Sequence, residues 1–110
     1  MKRHLLILTN LPDQASAGQL ATALVERHLA ACVNVLAPCH SVYRWRGKLE
    51  TATEILLLVK TSAERYAEVE AVIRARHPYE LPEIVAFPIE CGLPGYLDWI
   101  TRETEPSCEA

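Results

Sequence analysis

The sequence predicts an α+β chain, a ferredoxin-like βαββαβ sandwich with a C-terminal helix and a long central β-hairpin. Two observations carry that prediction. Apolar spacing alternates between strand-like runs and helical stripes in the order strand, helix, strand, strand, helix, strand, helix along 110 residues. The two central strand runs, from Cys32 to Trp45 and from Lys48 to Lys60, are far longer than ordinary strands and are separated by little more than Arg46-Gly47. No internal repeat, low-complexity segment or linker interrupts the order, so residues 1–104 are expected to form one domain, with 105–110 as a flexible tail. A chain of this size buries roughly 60 to 70% of its unfolded surface without needing a disulfide or a structural metal.

Each element has its own signal. Leu5 to Thr9 is a short apolar run that reads as a strand, and NLPDQ turns the chain. Asp13 is the expected N-cap of the first helix, with a Ser16/Gln19 capping box competing for that role. Ala17, Leu20, Ala21, Leu24, Val25 and His28 then recur at helical spacing, which carries the helix to about Leu29. Cys32 to Trp45 is rich in β-branched and aromatic residues. Pro38 cannot donate to a ladder, so it marks a bulge or kink within that strand. Gly47 supplies the turn, and the return strand climbs through ILLLV to Lys60. Thr61 and Glu64 have the spacing of a capping box for the second helix, whose stripe is Tyr66, Val69 and Ile73 and whose Glu70 can pair with Arg74. Pro78 pushes His77 out of the helical region and ends that helix near Arg76. Ile84 to Ile89 is the fourth strand, and Tyr96 to Arg102 the terminal helix.

The hairpin's length has a consequence. Strands of about 13 residues at ~3.3 Å per residue span about 40 Å, which two helices of about four turns cannot cover. Natural proteins pair or cover such edges. An oligomer built through the hairpin is therefore expected, with Val42, Tyr43 and Trp45 at the interface.

Composition narrows the function classes. The net charge of -3 gives no basic footprint for nucleic acid. The basic N-terminus precedes an apolar run of only Leu5 to Leu8, too short for a secretory signal, and no stretch approaches the roughly 20 apolar residues that cross a bilayer. The expectation is a soluble, cytoplasmic protein with no membrane partner. Cys32, Cys39, Cys91 and Cys108 show no CxxC pair and are read as reduced thiols.

The blocks LAACVN (29–34), SVYRWRGKLE (41–50), LLLVKT (56–61), HPYELPEI (77–84) and YLDWI (96–100) together resemble the CutA family of divalent-cation-tolerance proteins. The resemblance spans nearly the whole chain in the family's order. It implies a ferredoxin-like fold, a tightly packed homotrimer, an architectural kinship with PII-type signalling proteins, and an association with copper and other divalent cations. The chain departs from the family pattern at Arg46, where an acidic or amide residue is usual. It departs again at Ala37-Pro38-Cys39-His40, and at Thr9, where some members carry cysteine.

His77, set at a helix end and followed by Pro78, is the first candidate ligand for Cu(II) or another divalent cation, with Glu80 and Glu83 as oxygen donors. The competing reading is a helix-terminal imidazole that hydrogen-bonds a carbonyl. The resemblance adds Cys32 as a soft ligand. Cys39 and His40 are adjacent and point to opposite faces of a regular strand, so they cannot share one ion there. Lys60 ends the ILLLV run with a cation. With Tyr79 and Trp45 it is expected to border a cleft between subunits that takes a metal or a small effector. An enzyme using Cys32 as nucleophile and His77 as base lacks any accompanying signature, and no organic cofactor or catalytic role is expected. The two functional readings are thus a homotrimeric copper or divalent-cation protein and a PII-like signalling or scaffold trimer.

Overall fold

The computed structural model describes residues 2–106. Four strands, β1 (His4–Leu11), β2 (Cys32–Trp45), β3 (Lys48–Ser62) and β4 (Ile84–Pro88), form one antiparallel sheet in the order β2-β3-β1-β4. Helices α1 (Gln14–Glu26) and α2 (Tyr66–Arg76) connect them, and α3 (Pro94–Glu103) ends the fold. This is the predicted βαββαβ order with its terminal helix.

Side chains alternate across each strand, so the register sorts the sheet into two faces. Leu5, Ile7 and Leu11 of β1 and Ile55, Leu57 and Val59 of β3 share the face that α1 and α2 cover, and they pack with Leu20, Leu24, Val69 and Ile73. Leu6, Leu8, Leu56 and Leu58 point the other way and are only half buried. At one end of that second face α3 covers the sheet, where His4 Nε2 lies 2.8 Å from Thr101 Oγ1 and the Ser62 and Thr104 hydroxyls are 2.6 Å apart. Thr9 is fully buried on the helix-covered face.

The element boundaries show which local signals prevailed. Asp13 caps α1, its Oδ1 accepting the Ser16 N–H at 2.8 Å. The helix stops at Glu26 rather than Leu29, because His28 adopts a left-handed φ of 58° and the Leu29 N–H turns back to Leu24 O at 2.9 Å. Thr61 is not a cap. It belongs to β3, where its buried hydroxyl donates to Leu29 O at 2.6 Å, and a single 3-10 turn at Ala63–Arg65 leads into α2. Glu70 accepts from the Tyr66 hydroxyl at 3.1 Å, and no Glu70–Arg74 ion pair forms among the described residues. Pro38 does sit at a register shift, between Val35 and Pro38. Cys108 and most of the expected tail lie outside the described residues, and no helix among the described residues is long and apolar enough to cross a membrane.

The hairpin overhangs as its length requires. β1 pairs with β3 only from Ile55 to Ser62, so Lys48–Glu54 has no partner but β2. The radius of gyration of 14.7 Å exceeds the ~13 Å of a compact domain near this size. Val42, Tyr43 and Leu49 on this arm are exposed, and β2 and β4 are open sheet edges.

Candidate functional site: an acidic cleft beside the hairpin

The site begins with a buried carboxylate. Glu54 lies where β3 passes the end of β1, on the face opposite α1 and α2, and is 5% exposed. Its Oε1 accepts from Asn10 Nδ2 at 3.2 Å and its Oε2 from the Tyr79 hydroxyl at 3.0 Å. Asn10 Nδ2 also donates to Glu83 Oε1 at 3.0 Å, so one carboxamide bridges two acids. No lysine or arginine pairs with Glu54 or Glu83 among the described residues. Burial, and then the bond to Glu54, pushes the Tyr79 phenol up to about 12.

His77 locks this arrangement from below. With the ring drawn as the Nε2–H tautomer, Nε2 donates to Asn10 O at 2.6 Å while Nδ1 accepts the Tyr79 N–H at 3.2 Å. Both ring nitrogens are thereby engaged, and a metal could take Nδ1 only by displacing the Tyr79 amide. The position follows from sequence: α2 ends at Arg76, and His77 takes φ -85° and ψ 135° ahead of Pro78. The rigidity of HPYELPEI thus fastens Asn10, Glu54, Tyr79 and Glu83 to one another.

Around this floor lies a cavity of about 760 Å³. Tyr43 and Trp45 form its hairpin wall, and Leu81 and Pro82 its loop wall. Glu80 stands at the mouth, where its Oε1 receives Arg46 Nη2 at 2.7 Å. The Arg46 guanidinium also lies 5.1 Å from the Trp45 ring centroid. Arg46 and Gly47 both have positive φ, 51° and 80°, as a two-residue hairpin turn of the primed type requires.

The structure therefore gathers five of the seven residues anticipated as metal or cleft groups, Trp45, His77, Tyr79, Glu80 and Glu83, and separates the other two. Cys32 pairs with Lys60, and Lys60 with Leu6, six residues along β3 from Glu54, or ~20 Å. Lys60 instead sits 5.8 Å from the Tyr96 ring of α3. Within one chain neither Cys32 nor Lys60 reaches the cleft. By register the cysteine that faces this part of the sheet is Cys39, whose Cα stands opposite Glu54, while His40 stands opposite Thr53 on the other face. Asn10 and Glu54 escaped the sequence reading because each is a single polar residue flanking an apolar run, and only strand register brings them together. Among the described residues no group of three or more His, Cys, Asp or Glu side chains is placed to hold a metal ion.

Comparison with known proteins adds the family. The model of the CutA1 divalent ion tolerance protein family matches residues 5–103. A divalent-cation tolerance protein CutA of Thermus thermophilus is 44% identical over 98 residues, 89% of this chain and 95% of that protein. A CutA homolog of Xenopus laevis is 46% identical over 89 residues, 81% of this chain, and the chain spans 59% of that longer protein. The solved structure of the Archaeoglobus fulgidus protein, described as a periplasmic divalent cation tolerance protein CutA, superposes with a TM-score of 0.90 at 44% identity, covering 93% of this chain and 99% of its own.

Proposed function

This chain belongs to the CutA1 divalent ion tolerance family, and from that premise we propose that it binds a divalent cation at the acidic cleft, copper among the candidates, as a homotrimer. The observation that carries the reading is the Glu54–Asn10–Glu83 bridge, two carboxylates on one amide without a counter-cation. A divalent ion would supply the missing positive charge. Each carboxylate oxygen keeps acceptor capacity beyond its single donor.

Two carboxylates do not complete a coordination shell, so the remaining donors come from water or from a neighbouring copy. An oxygen-rich set of this kind favours hard cations, and copper gains most from nitrogen or sulfur donors. In this reading Cu(II) takes its softer donors from a neighbouring copy, Cys32 among them. Calorimetry on chelator-stripped protein tests it. Saturable binding of Cu(II), Zn(II) or Mn(II), weakened at least tenfold by Glu83→Gln, is expected. Absence of saturable binding by all three ions would reject the proposal.

The second reading, a PII-like signalling or scaffold trimer that takes a small effector, draws its support from the volume and aromatic wall of the same cleft.

A further inference from the structure

We propose that the cleft is a receptor for a small organic cation carrying a primary ammonium or guanidinium group, and that Arg46 is its tethered competitor. The charge balance of the site is one-sided: Glu54, Glu80 and Glu83 border the cavity, and among the described residues the cation set against them is Arg46, bonded to Glu80 at the mouth. Acids alone would suit any cation. The distinguishing feature is the aromatic lining, because Tyr43, Trp45 and Tyr79 surround the same space. A hydrated metal ion gains its binding energy from oxygen ligands, whereas an alkylammonium or guanidinium gains from an aromatic face and lays its methylene stem on apolar surface. A cavity of about 760 Å³ falls within the range of small-molecule sites and exceeds what an ion requires.

The protein already displays the recognition chemistry. The Arg46 guanidinium rests 5.1 Å from the Trp45 centroid and holds Glu80 at 2.7 Å, so one cation engages one aromatic and one acid of the lining together. That contact is easily displaced, since the two side chains are 67% and 71% exposed. A free cation that enters further meets Glu83 and the buried Glu54, whose carboxylate is held in place by Asn10 and Tyr79. Arg46 is held at the mouth by its bond to Glu80 and its contact with the Trp45 ring. The side chain therefore occupies only the mouth and raises the concentration that a ligand needs.

The test is run in EDTA, so that it does not depend on the divalent-cation reading. 1,4-Diaminobutane and 4-guanidinobutylamine serve as probes, and 1,4-butanediol as the uncharged control, with titration calorimetry on the assembled protein. Saturable binding of both cations and none of the diol is expected. Arg46→Asn, which suits the left-handed backbone, should tighten binding at least threefold. Trp45→Leu and Glu83→Gln should each weaken it at least tenfold, and Glu83→Gln should do so without changing the sedimentation coefficient. If Trp45→Leu fails to fold or to assemble, Glu83→Gln decides alone, because Glu83 is exposed and its change leaves the core intact. Failure of both cations to bind wild type and Arg46→Asn overturns the proposal, as does equal binding of the diol. Unchanged affinity in Arg46→Asn overturns the competitor role. Divalent ions that bind while the diamines do not would overturn this inference and leave the metal reading standing.

Discussion

His77 Nε2 stands 2.6 Å from the carbonyl oxygen of Asn10, and this bond fastens the end of α2 to the end of β1. The ring's second nitrogen accepts the Tyr79 amide, Tyr79 donates to Glu54, and Glu54 accepts from Asn10, so the contacts close on themselves. A closed circuit of this kind holds four side chains in one geometry, and loss of any member exposes its neighbours' unmet hydrogen bonds.

The first prediction follows from that circuit. His77→Ala leaves the Asn10 carbonyl and the Tyr79 amide without partners, a loss of about 1–3 kcal/mol. Urea denaturation should show that loss, while divalent-cation affinity at neutral pH changes by less than about threefold, about 0.7 kcal/mol. A tenfold loss of affinity at unchanged stability would instead make His77 a ligand.

Tyr79 provides a second prediction, at alkaline pH. Its phenol is raised from 10.0 to about 12 by burial and then by its bond to Glu54. The folded pKa lies above the unfolded one, so the associated stability is complete below pH 10 and is lost as pH rises through about 12. Thermal melts between pH 9 and 12 should show Tyr79→Phe losing less stability over that window than wild type. Glu54→Gln should bring the Tyr79 titration back toward 10, read as tyrosinate absorbance.

Asp13 gives the opposite sign. Its carboxyl is held below the usual value of 3.8, chiefly by the bond from the Ser16 backbone amide. A depressed folded pKa means that the capping stability is present above pH 3.8 and is lost as pH falls through the folded value. Asp13→Ala should therefore lower the melting temperature at pH 7. The gap to wild type should narrow as pH falls below 3.8 and the wild-type cap loses its charge.

The sequence made the elements legible wherever backbone chemistry is local. Pro38 had to interrupt a ladder, Pro78 had to end α2, and Asp13 had to cap α1, since each constraint acts within a few residues. Thr61 misled because the same hydroxyl that caps a helix can bond a distant carbonyl, and β3 runs two residues further than its apolar pattern suggests. HPYELPEI was legible as a rigid polar segment, but not its partners, because Asn10 and Glu54 arrive from strands 67 and 23 residues earlier than His77. The same register that supplies them carries Cys32 and Lys60 to the far end of the sheet.

The last prediction concerns assembly. Leu6, Leu8, Leu56 and Leu58 are half buried on the face that α1 and α2 do not cover, and Val85 and Phe87 continue that face onto the β4 edge, 41% and 52% exposed. On the opposite edge β2 leaves its outer backbone groups unpaired along an arm that projects past β1. Two unlike open edges on one sheet favour head-to-tail pairing, in which β2 of one copy meets β4 of the next, and such contacts form a ring where the rotation between copies closes. The family resemblance supplies the number three. Ultracentrifugation at micromolar concentration should give a trimer, and Phe87→Glu should shift it toward monomer by placing an unpaired charge in the contact. Thr22→Glu on the exposed side of α1 serves as the charge control and should leave the trimer intact. Sedimentation of the wild-type protein as a monomer would remove the assembly, and a Phe87→Glu trimer as stable as wild type would move the interface away from β4.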